Sequence, residues 1–123
     1  MIDTSMLPDF IIEAQEHLEE MEGSLLRLEQ RKGQESREIM DEIFRSAHTI
    51  KGAAQFVGIA RVAELSHKLE NLLDLVRKGE QSLTPAVTDL LIEGKDRITQ
   101  LVEELERGQT EESEVEDLLV RIR

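Results

Sequence analysis

Cysteine is absent from the 123-residue chain, which excludes a disulfide framework, a thiolate metal site and a cysteine nucleophile. Tryptophan and tyrosine are also absent, and only three phenylalanines are present. So few aromatic rings argue against the stacking platforms that bind single-stranded nucleic acids. No apolar run approaches the roughly 20 residues that span a bilayer, and no secretory signal peptide opens the chain. We therefore expect a cytoplasmic protein.

Basic residues are the minority among the charged ones. Lysine and arginine number 15 against 27 aspartates and glutamates, which gives a formal net charge of −12. Phosphate backbones and anionic lipids repel such an acidic surface. We therefore expect no nucleic-acid partner and no membrane partner, and we expect the chain to act on other proteins.

Apolar residues recur at spacings of three and four along most of the chain, and strand-like alternation is absent. Helix start and stop signals divide this pattern into five predicted helices. These are residues 8–31, 36–57, 60–78, 85–107 and 112–122. Long amphipathic helices with short connections predict an all-α fold, an antiparallel up-down four-helix bundle with an additional short C-terminal helix. One domain covers residues 1–123.

The helix ends carry recognisable residues. Glycines follow the first four predicted helices, at positions 33, 58, 79 and 108. Arg77 and Lys78 precede the third of these glycines, as is usual at a helix C-terminus. Thr84 is the predicted N-cap of the fourth helix, with Pro85 as its first residue. Gly94 lies inside that helix and indicates a close approach of another helix.

The stretch "SAHTIKGAAQF", residues 46–56, combines a predicted core face with polar groups. The core face of this second helix is predicted to contain Ile39, Ile43, Ala47, Ile50, Ala54 and Val57. A neighbouring stripe, expected at the solvent-accessible edge of the bundle, contains Met40, Phe44, His48, Lys51 and Gln55.

His48 and Lys51 are three residues apart on this stripe, so their side chains point the same way. Gly52 follows His48 by four residues and leaves bare backbone beside the imidazole. Glycine costs stability in a helix interior, and here it would open space for an incoming bulky group.

The third helix offers a second pair, His67 and Glu70, again three residues apart. A carboxylate that accepts the Nδ1 proton of an imidazole fixes its tautomer and exposes Nε2 as a nucleophile. A nearby lysine can offset charge on a transferred phosphoryl group. The set His48, Lys51 and Glu70 therefore favours a phosphoryl carrier.

Two other classes of function remain open at this point. A metal-binding bundle could use His48, His67 and Glu70, but bundle di-iron sites need two Glu-x-x-His pairs and further glutamates. The chain has one such pair in reversed order, so we expect no metal. A purely structural or interaction bundle is the other alternative, and it leaves Gly52 unexplained.

The segments "FRSAHTIKGAAQFVG" and "ELSHKLENLLDLVRKGE" closely resemble the histidine phosphotransfer domain of CheA-type chemotaxis histidine kinases. The opening "FIIEAQEHLEEMEGSLLRLE" is similar to the first helix of that family, so the resemblance covers nearly the whole chain. It implies that His48 is the phosphoaccepting residue. It also implies supporting roles for Lys51 (electrostatic), Gly52 (steric), Glu70 (orienting the imidazole) and His67 (hydrogen bonding).

The resemblance further implies the partners. A separate kinase domain would bind ATP and magnesium and phosphorylate the histidine, and an aspartate on the receiver domain of a response regulator would take the phosphoryl group. This domain alone would have no cofactor and no catalytic activity, and would be a monomer when isolated. It would be the N-terminal part of a longer histidine kinase, with a free-standing phosphotransfer protein as the alternative.

One residue departs from the resemblance. Many relatives have a second glycine after Gly52, where this chain has Ala53. Alanine is still small, so access to the imidazole is little changed. Phe44 and Gln55 on the same stripe are candidates for docking a partner, and Gln55 could alter the choice of partner.

Overall fold

The computed structural model describes residues 4–30, 35–108 and 110–122. Within these ranges the chain forms five α-helices and no strand, which confirms the predicted all-α fold. They are α1 (Leu7–Gln30), α2 (Glu35–Val57), α3 (Ala60–Arg77), α4 (Pro85–Gly108) and α5 (Glu116–Ile122). The observed starts of α1 to α4 and the ends of α2 to α4 differ from the predicted ones by one residue at most. The predicted end of the first helix at residue 31 and the stop at Gly33 lie outside the described residues.

The connection between α2 and α3 is only two residues long. Gly58 has a φ of 91°, a conformation that glycine adopts without steric cost. The backbone N–H groups of Gly58 and Ile59 both donate to the carbonyl of Ala54, at 2.9 and 2.8 Å, which satisfies the end of α2. At the start of α4 the N–H of Val87 donates to Oγ1 of Thr84 at 3.2 Å, so Thr84 is the N-cap.

The four long helices pack in a closed ring around one core. α1 contacts α2 and α4, and α3 contacts the same two helices, while α5 lies against α3 and α4. The apolar faces meet in the centre, and this burial is the main source of stability. The largest fully buried side chains are Leu7, Met21, Ile43, Ile50, Ile59, Leu65, Leu69, Leu73, Leu91, Ile98, Leu101 and Leu105.

The prediction for the edge stripe of α2 was wrong at Met40, whose side chain is buried in the core. The predicted core face was too narrow, because α2 packs against both α1 and α3 and its α3-facing side is covered as well. Phe44 and Lys51 on the same stripe are half-buried, whereas His48 and Gln55 are exposed.

The predicted start of the fifth helix, residue 112, was also wrong, because α5 begins at Glu116. The carboxylate of Glu104 in α4 accepts hydrogen bonds from the N–H groups of Glu112 and Ser113, both at 2.8 Å. These bonds tie the connecting segment to α4, and the carbonyl of Ser113, which a helix from residue 112 would use internally, accepts from the guanidinium of Arg61 at 2.8 Å.

The same connecting segment caps α3. The carboxylate of Glu111 accepts hydrogen bonds from the N–H groups of Arg61 and Val62, at 3.0 and 2.7 Å. A carboxylate is favourable at a helix N-terminus, where N–H groups lack partners within the helix. The link before α5 is thereby fixed to the end of the α2–α3 connection.

None of the helices in the described part of the chain is both long enough and apolar enough to cross a membrane.

Gly94 in α4 is buried and lies against α3, as its position in the sequence indicated. A Cβ atom at this position would lie 2.7 Å from Cδ2 of Leu69 and 3.0 Å from its Cδ1. Leu69 is itself almost fully buried, so its side chain has little room to move. The glycine therefore permits the close approach of α3 and α4.

Replacing this glycine tests the close approach. Gly94→Ala should lower the free energy of unfolding by about 1–3 kcal/mol, the usual cost of an extra methyl group in a packed core. The control is Gly23→Ala in α1, where no atom lies within 4 Å of the added Cβ. That change should raise the free energy of unfolding by about 0.5–1 kcal/mol. Urea unfolding followed by circular dichroism measures both, and stabilisation by Gly94→Ala would show that Leu69 moves aside freely.

Candidate functional site

Three of the predicted site residues come together where α2 and α3 lie side by side. His48 and Lys51 extend from α2 on the side that faces α3. Glu70 extends from α3 next to the core residue Leu69, which anchors that part of the helix. The two-residue connection between the helices keeps them adjacent along their length.

The Glu70 carboxylate uses its two oxygens for two different partners. Oε2 is hydrogen-bonded to Nδ1 of His48. Oε1 accepts a hydrogen bond from Nζ of Lys51 at 2.7 Å. With Glu70 ionised, the carboxylate only accepts hydrogen bonds, so the proton between it and His48 belongs to Nδ1. A neutral imidazole in this tautomer has its lone pair on Nε2.

The three side chains differ sharply in exposure. The side chain of Glu70 is 9% exposed and that of Lys51 is 17% exposed, whereas that of His48 is 62% exposed. The ion pair is therefore shielded from solvent, and the imidazole extends from it into solvent. Among the described residues, no side chain occupies Nε2 of His48, so this nitrogen is open to an incoming group.

The environment of Glu70 favours its charged form. Burial alone would raise the pKa of the Glu70 carboxyl, but the hydrogen bonds from Lys51 and His48, together with the charges of both groups, outweigh it. The pKa of Glu70 is therefore lowered from its ordinary value of 4.5. At neutral pH the carboxylate is ionised and able to hold the Nδ1 proton.

Gly52 leaves the space beside the imidazole open. No atom lies within 4 Å of the position that a Cβ would occupy on Gly52, and the residue is exposed on α2. The opening anticipated from the sequence is thus present one turn after His48. Nothing in the packing of the described residues requires a glycine at this position.

Phe44, predicted on the same stripe as His48, lies next to the imidazole, and Arg77, which the sequence did not connect with the site, lies next to Phe44. The ring of Phe44 stacks on the imidazole of His48, with the centroids 6.1 Å apart and the planes at 9°. The guanidinium of Arg77 lies over the ring of Phe44, with its central carbon 4.3 Å from the ring centroid. Arg77 was identified only as a basic residue at a helix end. Its spacing of seven residues from Glu70, which places both on one face of α3, was the signal that could have found it.

The remaining predicted residues lie apart from this network. His67 is exposed on α3, and its hydrogen-bonding role stays a prediction, since no partner for it lies among the described residues. Gln55 is exposed on α2. In residues 4–30, 35–108 and 110–122 no group of three or more histidines and carboxylates is arranged to hold a metal ion. The Lys51 ammonium occupies the oxygen of Glu70 that a metal would need.

The lowered pKa of Glu70 makes the stability of the protein depend on pH in a defined way. The stabilisation that the ionised Glu70 carboxylate contributes is present in full above pH 4.5. It is lost as the pH falls through the lowered pKa of the folded state. Glu70→Gln should therefore lower the free energy of unfolding at neutral pH, and the difference from the wild type should shrink in acid. Urea unfolding over a range of pH measures this difference.

The matched control is Glu64→Gln, which replaces an exposed carboxylate on the same helix and should change stability less at every pH. A loss from Glu70→Gln that stays constant into acid would contradict the lowered pKa.

Comparison with known proteins places these residues in a family. The sequence matches the family model described as "Hpt domain" over residues 5–110. The chemotaxis protein CheA of Listeria monocytogenes is 38% identical over 105 residues, which are 85% of this chain and 17% of that protein. The CheA of Treponema pallidum is 36% identical over 118 residues, 96% of this chain and 14% of that protein. The chain thus spans less than a fifth of the length of these relatives.

Solved structures agree with the sequence matches. The solution structure of the histidine phosphotransfer domain of CheA has a TM-score of 0.85 at 31% identity, covering 98% of this chain and 91% of that one. The CheA phosphotransferase domain from Thermotoga maritima has a TM-score of 0.76 at 35% identity, covering 85% and 98%. A P1 domain of CheA3 from R. sphaeroides, solved phosphorylated and in complex with CheY6, shares the fold with a TM-score of 0.84 at 24% identity, covering 97% and 93%. The family model matches most of the chain, and the chain therefore belongs to the Hpt domain family.

Proposed function

We propose that this chain carries phosphoryl groups on Nε2 of His48. The phosphoryl group comes from ATP, which a separate kinase domain binds together with magnesium, and goes to an aspartate on the receiver domain of a response regulator. The observation that carries the proposal is the exposed imidazole whose Nδ1 is held by the buried carboxylate of Glu70. Membership of the Hpt domain family supports it.

The arrangement suits an in-line transfer in each direction. In the uptake step the Nε2 lone pair of His48 attacks the terminal phosphorus of ATP, the N–P bond forms, and the bond to the departing ADP oxygen breaks. Positive charge develops on the imidazole ring, and the Glu70 carboxylate stabilises it through the Nδ1–H. In the release step an aspartate oxygen attacks the phosphorus, the N–P bond breaks, and the lone pair returns to Nε2.

Lys51 has an electrostatic role in this proposal. Its ammonium is held 2.7 Å from Oε1 of Glu70, three residues along α2 from His48. A positive charge in this partly shielded position offsets part of the charge that the phosphoryl group brings. The supporting role proposed for Gly52 is steric, because its bare backbone leaves room for the phosphoryl oxygens.

The relatives support a larger context. The CheA proteins that this chain matches are about six to seven times as long as the aligned segment, and Helicobacter pylori has a relative named sensor histidine kinase CheAY, 35% identical over 97 residues. We therefore propose that this chain is the N-terminal part of a longer histidine kinase. The R. sphaeroides P1 domain in complex with CheY6 supports a response regulator as the acceptor.

The docking face for that acceptor is proposed to lie on the exposed side of α2. A protein interface buries about 800 Å² on each partner, so a domain that reaches His48 also covers the next two turns of the helix. Gln55 and Phe56 lie there, and Phe56 is 73% exposed. Phe44 offers a partner less surface than the sequence suggested, because Arg77 lies over its ring.

We further infer that the four long helices run alternately up and down. Contacts between α2 and α3 support this direction, since Glu70 meets His48 while the later residue Arg77 meets the earlier residue Asp41. The short connections and the closed ring of helix contacts are typical of the same topology.

The first test is phosphate uptake from radiolabelled ATP, with a CheA kinase core that lacks its own phosphoacceptor. The wild-type chain should become labelled, and the label should be lost in acid and survive in alkali. His48→Gln should fold normally and take up no label, because the nucleophile is gone.

The control His17→Gln removes the histidine of α1, which pairs with Glu20 on its own helix at 3.3 Å, and it should be labelled like the wild type. Failure to label the wild type, with a kinase core active on another acceptor, would favour the structural bundle. Equal label on His48→Gln would move the chemistry to another residue.

Removing the side chains of the two supporting residues, Glu70 and Lys51, should slow phosphate uptake to different degrees. Glu70→Ala should slow uptake by about 10- to 100-fold, by analogy with the loss seen when the carboxylate that orients a metal-bound imidazole is removed. Lys51→Ala should slow it less, because it removes a charge and leaves the tautomer in place. Initial rates at several concentrations of the chain measure both, with Lys68→Ala on α3 as the control for loss of a lysine. Wild-type rates in either variant would remove that residue from the mechanism.

A further inference from the structure

A second set of contacts between α2 and α3 lies beside the phosphotransfer site. Nε of Arg77 forms an ion pair with Oδ1 of Asp41 at 2.9 Å. The guanidinium of Arg77 also lies over the ring of Phe44, 4.3 Å from its centroid. Because Phe44 stacks on His48, an unbroken series of contacts leads from Asp41 through Arg77 and Phe44 to the imidazole.

These contacts repeat the geometry of the site itself. Glu70 contacts two α2 residues that are three positions apart, His48 and Lys51. Arg77, seven residues later on α3, contacts two α2 residues that are also three positions apart and lie seven residues earlier, Asp41 and Phe44. Seven residues are close to two helical turns, so α3 holds α2 at two consecutive places on the same face.

The imidazole needs a second restraint, because its hydrogen bond to Glu70 holds the Nδ1 atom and does not fix the plane of the ring. The bond from Nδ1 to Glu70 leaves the ring free to tilt about that contact, and the ring is 62% exposed. The ring of Phe44 lies parallel to the imidazole and offset from it, with the centroids 6.1 Å apart, and it narrows the range of this tilt. The direction of the Nε2 lone pair is thereby restricted, and phosphoryl transfer depends on such alignment.

Phe44 packs against the core but is only half-buried, so a contact on its exposed side adds to the restraint that the core supplies. A guanidinium over an aromatic face is attracted to the ring. The ion pair with Asp41 fixes where that guanidinium lies, and the weaker approach of Arg77 to Asp74, at 3.9 Å, keeps it on the same side. Arg77 therefore selects one position of the Phe44 ring.

We propose that Arg77 is a positioning residue for phosphoryl transfer at His48, acting through Phe44. The inference rests on the proposed function of His48. Arg77 is not a ligand of the phosphoryl group in this proposal. Its guanidinium is engaged by Asp41 and by the ring of Phe44.

The test uses Arg77→Met, which keeps much of the length of the side chain and removes the charge. The maximum rate of uptake should fall about two- to five-fold, the range expected for losing one partly exposed cation–aromatic contact. The concentration of the chain at half-maximal rate should stay unchanged, because the docking face is intact. Arg77→Lys, which keeps a cation beside Asp41 and Phe44, should restore part of the rate.

The matched control is Lys78→Met, which removes the same charge from the adjacent, exposed residue and touches neither Phe44 nor His48. Its uptake should equal that of the wild type. An equal loss in Arg77→Met and Lys78→Met would assign the effect to net charge and overturn the proposal, as would an unchanged rate in Arg77→Met.

Nuclear magnetic resonance of the unphosphorylated chain separates this proposal from the proposed function. The ring current of Phe44 affects the chemical shifts of the His48 ring protons. Arg77→Met should therefore change these shifts and let the imidazole populate more rotamers, whereas Lys78→Met should change neither. Shifted resonances with no uptake by the wild type would support the contact series and reject phosphotransfer. Unshifted resonances in Arg77→Met would overturn the positioning role whatever the uptake.

Discussion

The buried carboxylate of Glu70 is the group on which the rest of the site depends. A carboxylate with a side chain only 9% exposed is costly unless each oxygen is paired. Its two partners come from one helix, at positions three apart, so α2 and α3 can satisfy Glu70 in one relative register only. The packing of α2 against α3 that closes the core therefore also places the imidazole of His48 on the Glu70 carboxylate.

Charged groups close to His48 affect the transfer more than the net charge of the whole chain does. The chain carries a net charge of −12, and a phosphoryl group adds about −2 more. Charges on the surface are largely screened beyond about 10 Å at ordinary salt, so the distant acidic residues matter little to the transfer. The ammonium of Lys51, partly shielded and close to the imidazole, has a larger effect than its single charge suggests.

Local patterns in the sequence predicted most of this molecule, and contacts between distant residues account for what they missed. The starts of α1 to α4 and the ends of α2 to α4 followed from apolar spacing, glycines and the cap at Thr84, which all act within one helical turn. The start of α5 did not, because side chains of α3 and α4, Arg61 and Glu104, hold the preceding segment through bonds to Glu112 and Ser113. The pairing of His48 with Glu70 was predictable because both residues belong to recognisable segments. The contact of Arg77 with Phe44 depends on how two helices are aligned, which no single segment specifies.

The repeat of contacts along α2 and α3 has a consequence for how such domains change in evolution. One residue inserted into α3 between Ala60 and Glu70 would rotate everything after it by about 100° and advance it by about 1.5 Å. The helix would still form, but Leu69 and Leu73 would turn away from the core together with Glu70, which would no longer meet His48. Length changes in this stretch therefore disturb the core and the chemistry together, so a relative that keeps the fold should also keep the spacing between Ala60 and Glu70.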